Sequence, residues 1–433
     1  MTPTVSRRFA NLGQEVEEAT LPSGLRVVLL RKPGYQCKYI TFSTHYGGMD
    51  SAFIRPGETE PTRVPDGIAH FLEHKLFEQP DGTNVLDQYS RMGASPNAYT
   101  GQYYTVYLCS LVEDFEEGFD LLLDYVQTPY FTDESVAKEQ GIIEQEIQTG
   151  LDSPIRMAYY NLIESLYHVH PARIRVIGTV ASIRQITKEL LYRCHDTFYH
   201  PSNMMVVVAG DVSFDKVLRL VERDMEGRGY EKRGPIRRII PDEPDGVREA
   251  EIRHKMKVSR PYVLMGFKGR LDRDGATGAE YYRRLVAAEL ALDATLGKSA
   301  QGYWELYEQG VISSRYGYSL STYPRIAHFY VGCETEAPDQ FRDRVTELLA
   351  RARDGGVDED RFEEARKRAI GQFMSVLDDL QDLVHLYVTH AFDGLDYFER
   401  REILDRVTPA DATEFLQEFI QDDRRVFSVV EPL

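Results

Sequence analysis

Two periodicities divide the chain. In "ATLPSGLRVVLLRKPG" and "KYITFSTHYGG" apolar and polar positions alternate, or run apolar, between glycine and proline signals. Both read as strands, the first entered through a Pro-Ser-Gly turn and the second closing at paired glycines. "SPNAYTGQYYTVYLCSL" is rich in Tyr, Thr and Val and reads as further strands, and "NMMVVVAGDV" as a buried strand ending at Gly210-Asp211. Helical spacing takes over elsewhere. A run from about Ile68 to Glu78 follows "RVPDG", and "TNVLDQYSRMG" is a helix stopped by Gly93. In "FEEGFDLLLDYVQ", Phe115, Phe119, Leu122, Leu123 and Val126 fall on one stripe. "DESVAKEQGIIEQEIQ" opens with acidic residues and continues as a long helix.

Between residues 226 and 249 the periodicity lapses into a charged stretch with Gly and Pro, the composition of a linker. Residues 1–225 and 250–433 are then two domains, and the second echoes the first. "FTDESVAKEQGIIEQEI" matches "GVDEDRFEEARKRAIGQF"; "DFEEGFDLLLDYV" matches "QFRDRVTELLARA"; "RVFSVVEPL" parallels "NMMVVVAGDV". The expected fold is α+β, two copies of one unit in which helices pack on an antiparallel sheet.

Composition narrows the function. With 433 residues and 42% hydrophobic content, two ordinary cores can be buried. A net charge of −18 repels phosphate backbones and argues against nucleic acid as a partner. Cys37, Cys109, Cys194 and Cys333 are scattered and form no CxxC pair, which excludes a cysteine-built zinc site and fits a reducing compartment. No secretory apolar segment and no membrane-spanning run is read, so the expected location is the cytoplasm.

The chemistry concentrates in "GIAHFLEHKLFE". On a helix, His70 and His74 lie one above the other and can aim ring nitrogens at one point, with Glu73 beside it. Two imidazoles at this spacing suit zinc. A neighbouring carboxylate that does not ligate can take a proton from a metal-bound water. A third ligand is needed, and "KEQGIIEQEI" offers it: Glu139 and Glu146 are two helical turns apart and share a face. Glu146 can ligate, and Glu139 can hydrogen-bond the outer nitrogen of a liganding histidine. Glu144 points elsewhere, into solvent. HxxEH is the inverted zincin pattern.

These stretches, with "SPNAYTGQYYTVY", "RVIGTVASIRQIT" and "YHPSNMMVVVAGDV", resemble peptidase family M16, which includes pitrilysin, insulin-degrading enzyme and the mitochondrial processing peptidase. The chain is most similar to its short bacterial, YmfH-like members. The resemblance implies a zinc-dependent endopeptidase of two similar α/β-sandwich halves, together half of a clam-shell chamber. His70, His74 and Glu146 would bind one zinc per chain, Glu73 would be the general base and Glu139 a support for a ligand. Asn97, Ala98, Tyr99 and Thr100 would lie where peptide substrate adds to a sheet edge. The other reading is a non-catalytic peptide-binding or scaffold subunit of the same fold.

The second half departs from the family pattern. Gly371 stands opposite Glu146 in the repeat, so no second metal site is expected. Family members supply an Arg and a Tyr from this half. Here "YWELYEQGVISSRYGYS" has Tyr307 where the Arg would fall, with Arg315 and Tyr316 at shifted spacing, and neither is assigned that role. The implied partner is a paralogous, catalytically silent subunit that supplies the pair in a heterodimer, with a homodimer as the other possibility. His168 and His170 are expected at the surface, His195 and His200 to be structural, and Cys109 and Cys194 to be buried.

Overall fold

The protein is described from a computed structural model covering residues 2–272 and 276–433. The β-branched and aromatic runs of its first part form nine strands: β1 (Thr4–Phe9), β2 (Gln14–Thr20), β3 (Arg26–Arg31), β4 (Lys38–Thr44), β5 (Ala52–Ile54), β6 (Thr62–Arg63), β7 (Ser95–Thr100), β8 (Thr105–Leu111) and β9 (Met204–Gly210). Seven of them make one sheet in the order β1-β2-β3-β9-β4-β8-β7. All its pairings are antiparallel except β3 with β9, where Val28 lies opposite Val207. Ala98 of β7 faces Tyr107 of β8, and β7 is an edge strand. A further strand, β10 (Arg237–Arg238), joins β5 and β6 in a small second sheet.

The first helices of this unit, of which α1 and α4 carry the site, follow the periodicity. They are α1 (Ile68–Lys75), α2 (Val85–Arg91), α3 (Phe115–Gln127) and α4 (Asp133–Leu151). Phe115, Phe119, Leu122, Leu123 and Val126 are buried along α3, as their stripe requires. The helix Leu380–Phe392 also packs on β4 and β9 of this sheet. With α3 on β4 as well, residues of both alternation sets are buried, which explains why β9 reads as a continuous apolar run.

The second unit has a five-stranded sheet of β11 (Glu251–Met256), β12 (Tyr262–Gly269), β13 (Gly317–Tyr323), β14 (Ile326–Glu334) and β15 (Arg425–Pro432), ordered β11-β15-β12-β14-β13. Only β11 with β15 is parallel. This reproduces the order and sense of β3-β9-β4-β8-β7, so the two halves are similar in topology. Phe267, Phe329, Phe415 and Phe419 lie in its core.

The compact units are discontinuous, unlike the two continuous spans read from the sequence. One comprises Met1–Ile147, Ile174–Ile240 and Val376–Asp393, the other Gln148–Arg173, Pro241–Ser375 and Gly394–Leu433. The cause is a reciprocal exchange of one helix. α5 (Pro154–Leu166) follows α4 but packs on β11, β12 and β15, while Leu380–Phe392 packs on the other sheet. Gly266 makes room for α5: a Cβ there would sit 2.9 Å from Leu162 Cδ1.

The stretch 168–170 corrects an expectation. His170 is fully buried instead of lying at the surface. The Glu243 carboxylate accepts the backbone N–H groups of His168, Val169 and His170 at 2.8, 2.9 and 2.8 Å, which satisfies the donors of the turn that carries His170 inward. Lys268 Nζ donates to the same carboxylate at 3.0 Å. Cys109, Cys194 and His195 are buried as expected. Among the described residues no helix is long and apolar enough to cross a membrane.

Candidate metal centre

α1 is only two turns long, and its start is fixed by backbone packing. Gly67 precedes it at φ 92°, and a Cβ there would sit 2.6 Å from the Ile177 carbonyl oxygen. Gly178, at φ +77°, makes the reciprocal approach, 2.5 Å from the Asp66 oxygen. Only glycine meets both the space and the dihedral. Ile68, Phe71 and Leu72 then enter the core, with Lys75 alongside. Lys75 is kept buried by an ion pair with Glu78. The opposite side of the helix presents His70, Glu73 and His74.

α4 supplies the facing carboxylates. Thr132 and Ser135 exchange hydrogen bonds of 3.1 and 3.2 Å in a capping box at its start. Val136, Ile143 and Ile147 anchor it to the core, which sets Glu139 and Glu146 toward α1. Glu139 is buried, and its Oε1 lies 2.9 Å from His74 Nδ1. A carboxylate can only accept here, so Nδ1 carries the hydrogen and the Nε2 lone pair is left free. Glu146 Oε1 is 3.8 Å from His70 Nε2, and Glu146 Oε2 is 3.8 Å from His74 Nε2. Glu144 points away from the site, partly exposed, and its two oxygens share Arg184 Nη2 at 3.0 and 2.9 Å.

The donors fit a small divalent cation. One atom each from His70, His74 and Glu146 lie within 4.8 Å of one another, and no other His, Cys, Asp or Glu group among the described residues does this. The 3.8 Å gaps are too long for hydrogen bonds. A tetrahedral zinc with bonds of about 2.1 Å holds its donors roughly 3.4 Å apart, so a modest closure would seat it. Burial, with His74 beside it, pushes His70 down to about 3, so the ring is neutral and its nitrogens are available. For His74 burial also disfavours the charge, but the Glu139 hydrogen bond and the surrounding carboxylates outweigh it and raise the pKa. Among the described residues His70 Nδ1 is buried without a hydrogen-bond partner, so nothing at that nitrogen fixes the ring as Glu139 fixes His74.

Glu73 sits beside this triad without joining it. Burial raises its pKa above the usual carboxylate range, against the Thr100 hydrogen bond and the His74 charge, with Glu146 adding to the rise. Thr100, at the end of β7, donates to Glu73 Oε2 at 2.6 Å. Of the other β7 residues read as substrate-docking, Asn97 is exposed with its Oδ1 accepting from Ala98 N at 2.9 Å, and the Tyr99 hydroxyl is 2.6 Å from His385 Nδ1. The sequence reading missed both the Thr100–Glu73 and the Tyr99–His385 contacts. Strand alternation could have separated Thr100 from Tyr99; nothing local points to His385, 286 positions away. In the second unit, Arg315 is an exposed partner of Glu334 at 2.6 Å, and buried Tyr316 donates to the Leu296 carbonyl at 3.0 Å.

A sheet sandwiched by exchanged helices, duplicated in one chain, with HxxEH on one copy, defines an M16-type architecture, and comparison with known proteins agrees. Residues 53–180 match the model for Insulinase (Peptidase family M16), and residues 185–369 that for the Peptidase M16 inactive domain. The chain belongs to peptidase family M16. It is 36% identical over 424 residues to the zinc protease YmfH of Bacillus subtilis (strain 168), covering 98% of each chain. The crystal structure of an M16-like peptidase from Alicyclobacillus acidocaldarius is 35% identical and superposes with a TM-score of 0.92 over 99% of this chain and 100% of that one. A Helicobacter pylori protease, at 20% identity and a TM-score of 0.81 over 97% of this chain and 100% of that one, shares the fold.

Proposed function

We propose that this chain is a zinc-dependent endopeptidase acting on peptides or unfolded segments. The observation that carries the reading is the convergence of His70, His74 and Glu146, from two helices, within 4.8 Å. A scaffold or peptide-binding subunit of the same fold has no use for that set beside a buried, unligating Glu73. His70, His74 and Glu146 would hold one zinc per chain. When bound, zinc supplies Lewis-acid polarisation of the scissile carbonyl and acidifies water.

The chain's own residues do the rest. Glu139 fixes the tautomer and direction of His74. Glu73, whose affinity for a proton is raised by burial, takes one from the attacking water and passes it to the leaving amine. The open edge of β7, from Asn97 to Thr100, aligns an extended peptide through main-chain hydrogen bonds. The chain forms half of a closed chamber whose size excludes folded proteins. Because Tyr316 is buried and Arg315 is engaged, a paralogous, catalytically silent subunit supplies the Arg/Tyr pair in a heterodimer. The four cysteines are free thiols, which suits the cytoplasm.

The test is metal content after purification, followed by peptide cleavage with and without chelator, for the chain alone and with a paralogue encoded in the same genome. Glu73→Gln should keep zinc and lose turnover by about 10²–10⁴-fold; His70→Ala should lose both. A Glu73→Gln variant with parental activity refutes the hydrolase reading. Full cleavage by the isolated chain refutes the heterodimer.

A further inference from the structure

We infer that the Thr100 side chain is a positioning group for Glu73 and does not itself bind substrate, whatever its backbone does on the β7 edge: it holds one carboxylate oxygen in place and leaves the other open to the proton being moved. The inference rests on the hydrolase reading above.

Strand alternation decides where Thr100 points. Tyr99 reaches His385 at 2.6 Å, on the helix packed against β4 and β9, so its neighbour Thr100 lies on the other face, with α1. There its hydroxyl donates to Glu73 Oε2 at 2.6 Å and has Thr105 Oγ1, on the donor side, at 3.5 Å. A threonine hydroxyl has a single proton to give. Thr105 gives its own to the Tyr46 carbonyl at 2.8 Å. The shorter, charge-assisted bond to Glu73 takes the Thr100 proton. Glu73 Oε1 has no hydrogen-bond partner among the described residues.

The donor is also held rigidly. Gly101 N donates to the Tyr104 carbonyl at 2.8 Å and closes the β7–β8 hairpin immediately after Thr100. Gly48 N and Met49 N donate to the Gly101 and Gln102 carbonyls at 3.0 and 2.8 Å and pin the same hairpin from the other side. A Cβ on Gly47 would sit 2.5 Å from the Gly101 oxygen, so the two segments are in direct backbone contact. The β-branched side chain restricts χ1 and removes the remaining freedom. A fixed donor on one oxygen of a general base is preorganisation of the kind a proton transfer needs. It also ties the strand proposed to dock substrate to the group proposed to move the proton.

The test compares Thr100→Val and Thr100→Ser with the parent and with Glu73→Gln. All are zinc-loaded, paired with the paralogous subunit and assayed on an internally quenched fluorescent peptide. Thr100→Val should keep the parental zinc content and Tm, lose about 10- to 100-fold in kcat and leave KM unchanged. Thr100→Ser, which keeps the donor, should restore most of the loss. In crystals of Thr100→Val the Glu73 carboxylate should be rotated away from its parental position. A Thr100→Val enzyme with parental kcat, or one altered in KM alone, overturns the inference, as does a Glu73 that stays in place in the crystal. If Glu73→Gln is inactive while Thr100→Val is not, only this inference fails. If Glu73→Gln is active, the hydrolase reading fails with it.

Discussion

Glu139 makes no contact with the cation in this account, yet it should control how tightly the cation is held. Its Oε1 is 2.9 Å from His74 Nδ1, and Glu139 is 5% exposed, so the hydrogen bond is partly buried and charge-assisted. Glu139→Ala leaves that N–H facing an empty pocket. The ring then loses both its fixed tautomer and the electron donation that strengthens Nε2 as a ligand. Supporting carboxylates of this type are worth about 10–100-fold in metal affinity, or about 1.4–2.7 kcal/mol. Glu139→Gln keeps an acceptor and loses the charge, so it should fall between Ala and the parent. His70 provides an internal contrast, because its Nδ1 has no partner to remove. The assay is zinc competition against a chromophoric chelator, with circular dichroism to confirm that both variants are folded. A Glu139→Ala protein that is folded and binds zinc as tightly as the parent refutes the reasoning.

Two predictions concern stability. His170, His195 and His328 are buried, and burial pushes them down to about 4, 4 and 3; for His170 and His195 hydrogen bonds to the Pro324 and Val126 carbonyls oppose the shift. Their contribution is complete above the unfolded value near 6.5 and is lost as pH falls toward 4, because the unfolded chain then binds protons that the folded one does not. Each fully titrating histidine adds a slope of up to about 1.4 kcal/mol per pH unit, so Tm should drop steeply between pH 7 and pH 5; a Tm that rises on acidification contradicts this. Gly67→Ala should cost about 1–3 kcal/mol from its positive φ alone, and more from the approach to Ile177, measurable by urea denaturation. An unchanged midpoint would show that the α1 entry tolerates a side chain.

Much of the site was legible because it obeys helical spacing. His70 and His74 one turn apart, and Glu139 and Glu146 two turns apart, are patterns that a one-dimensional string preserves. The doubled topology was legible for a related reason: each half repeats its strands and long helices in the same order. What escaped depended on long-range contact. α5 and Leu380–Phe392 have apolar faces in the sequence, but periodicity does not say which sheet a face will cover; only Gly266, hollowed for Leu162, hints at the exchange. His170 read as a loop residue beside a proline, and its burial depends on Glu243, which stands in a stretch that looks like a plain linker. Thr100 read as part of a docking strand, and its bond to Glu73 emerges only when β7 is laid against α1.

The central claim is that two helices bring three side chains of this chain around one zinc ion. Anomalous diffraction at the zinc edge, on crystals of the purified protein, tests it without reference to activity. The account predicts one peak per chain, about 2.0–2.2 Å from His70 Nε2, His74 Nε2 and a Glu146 carboxylate oxygen, with Glu73 outside bonding distance. A zinc-replete crystal with no peak there, or with Glu146 turned away from the ion, would contradict it.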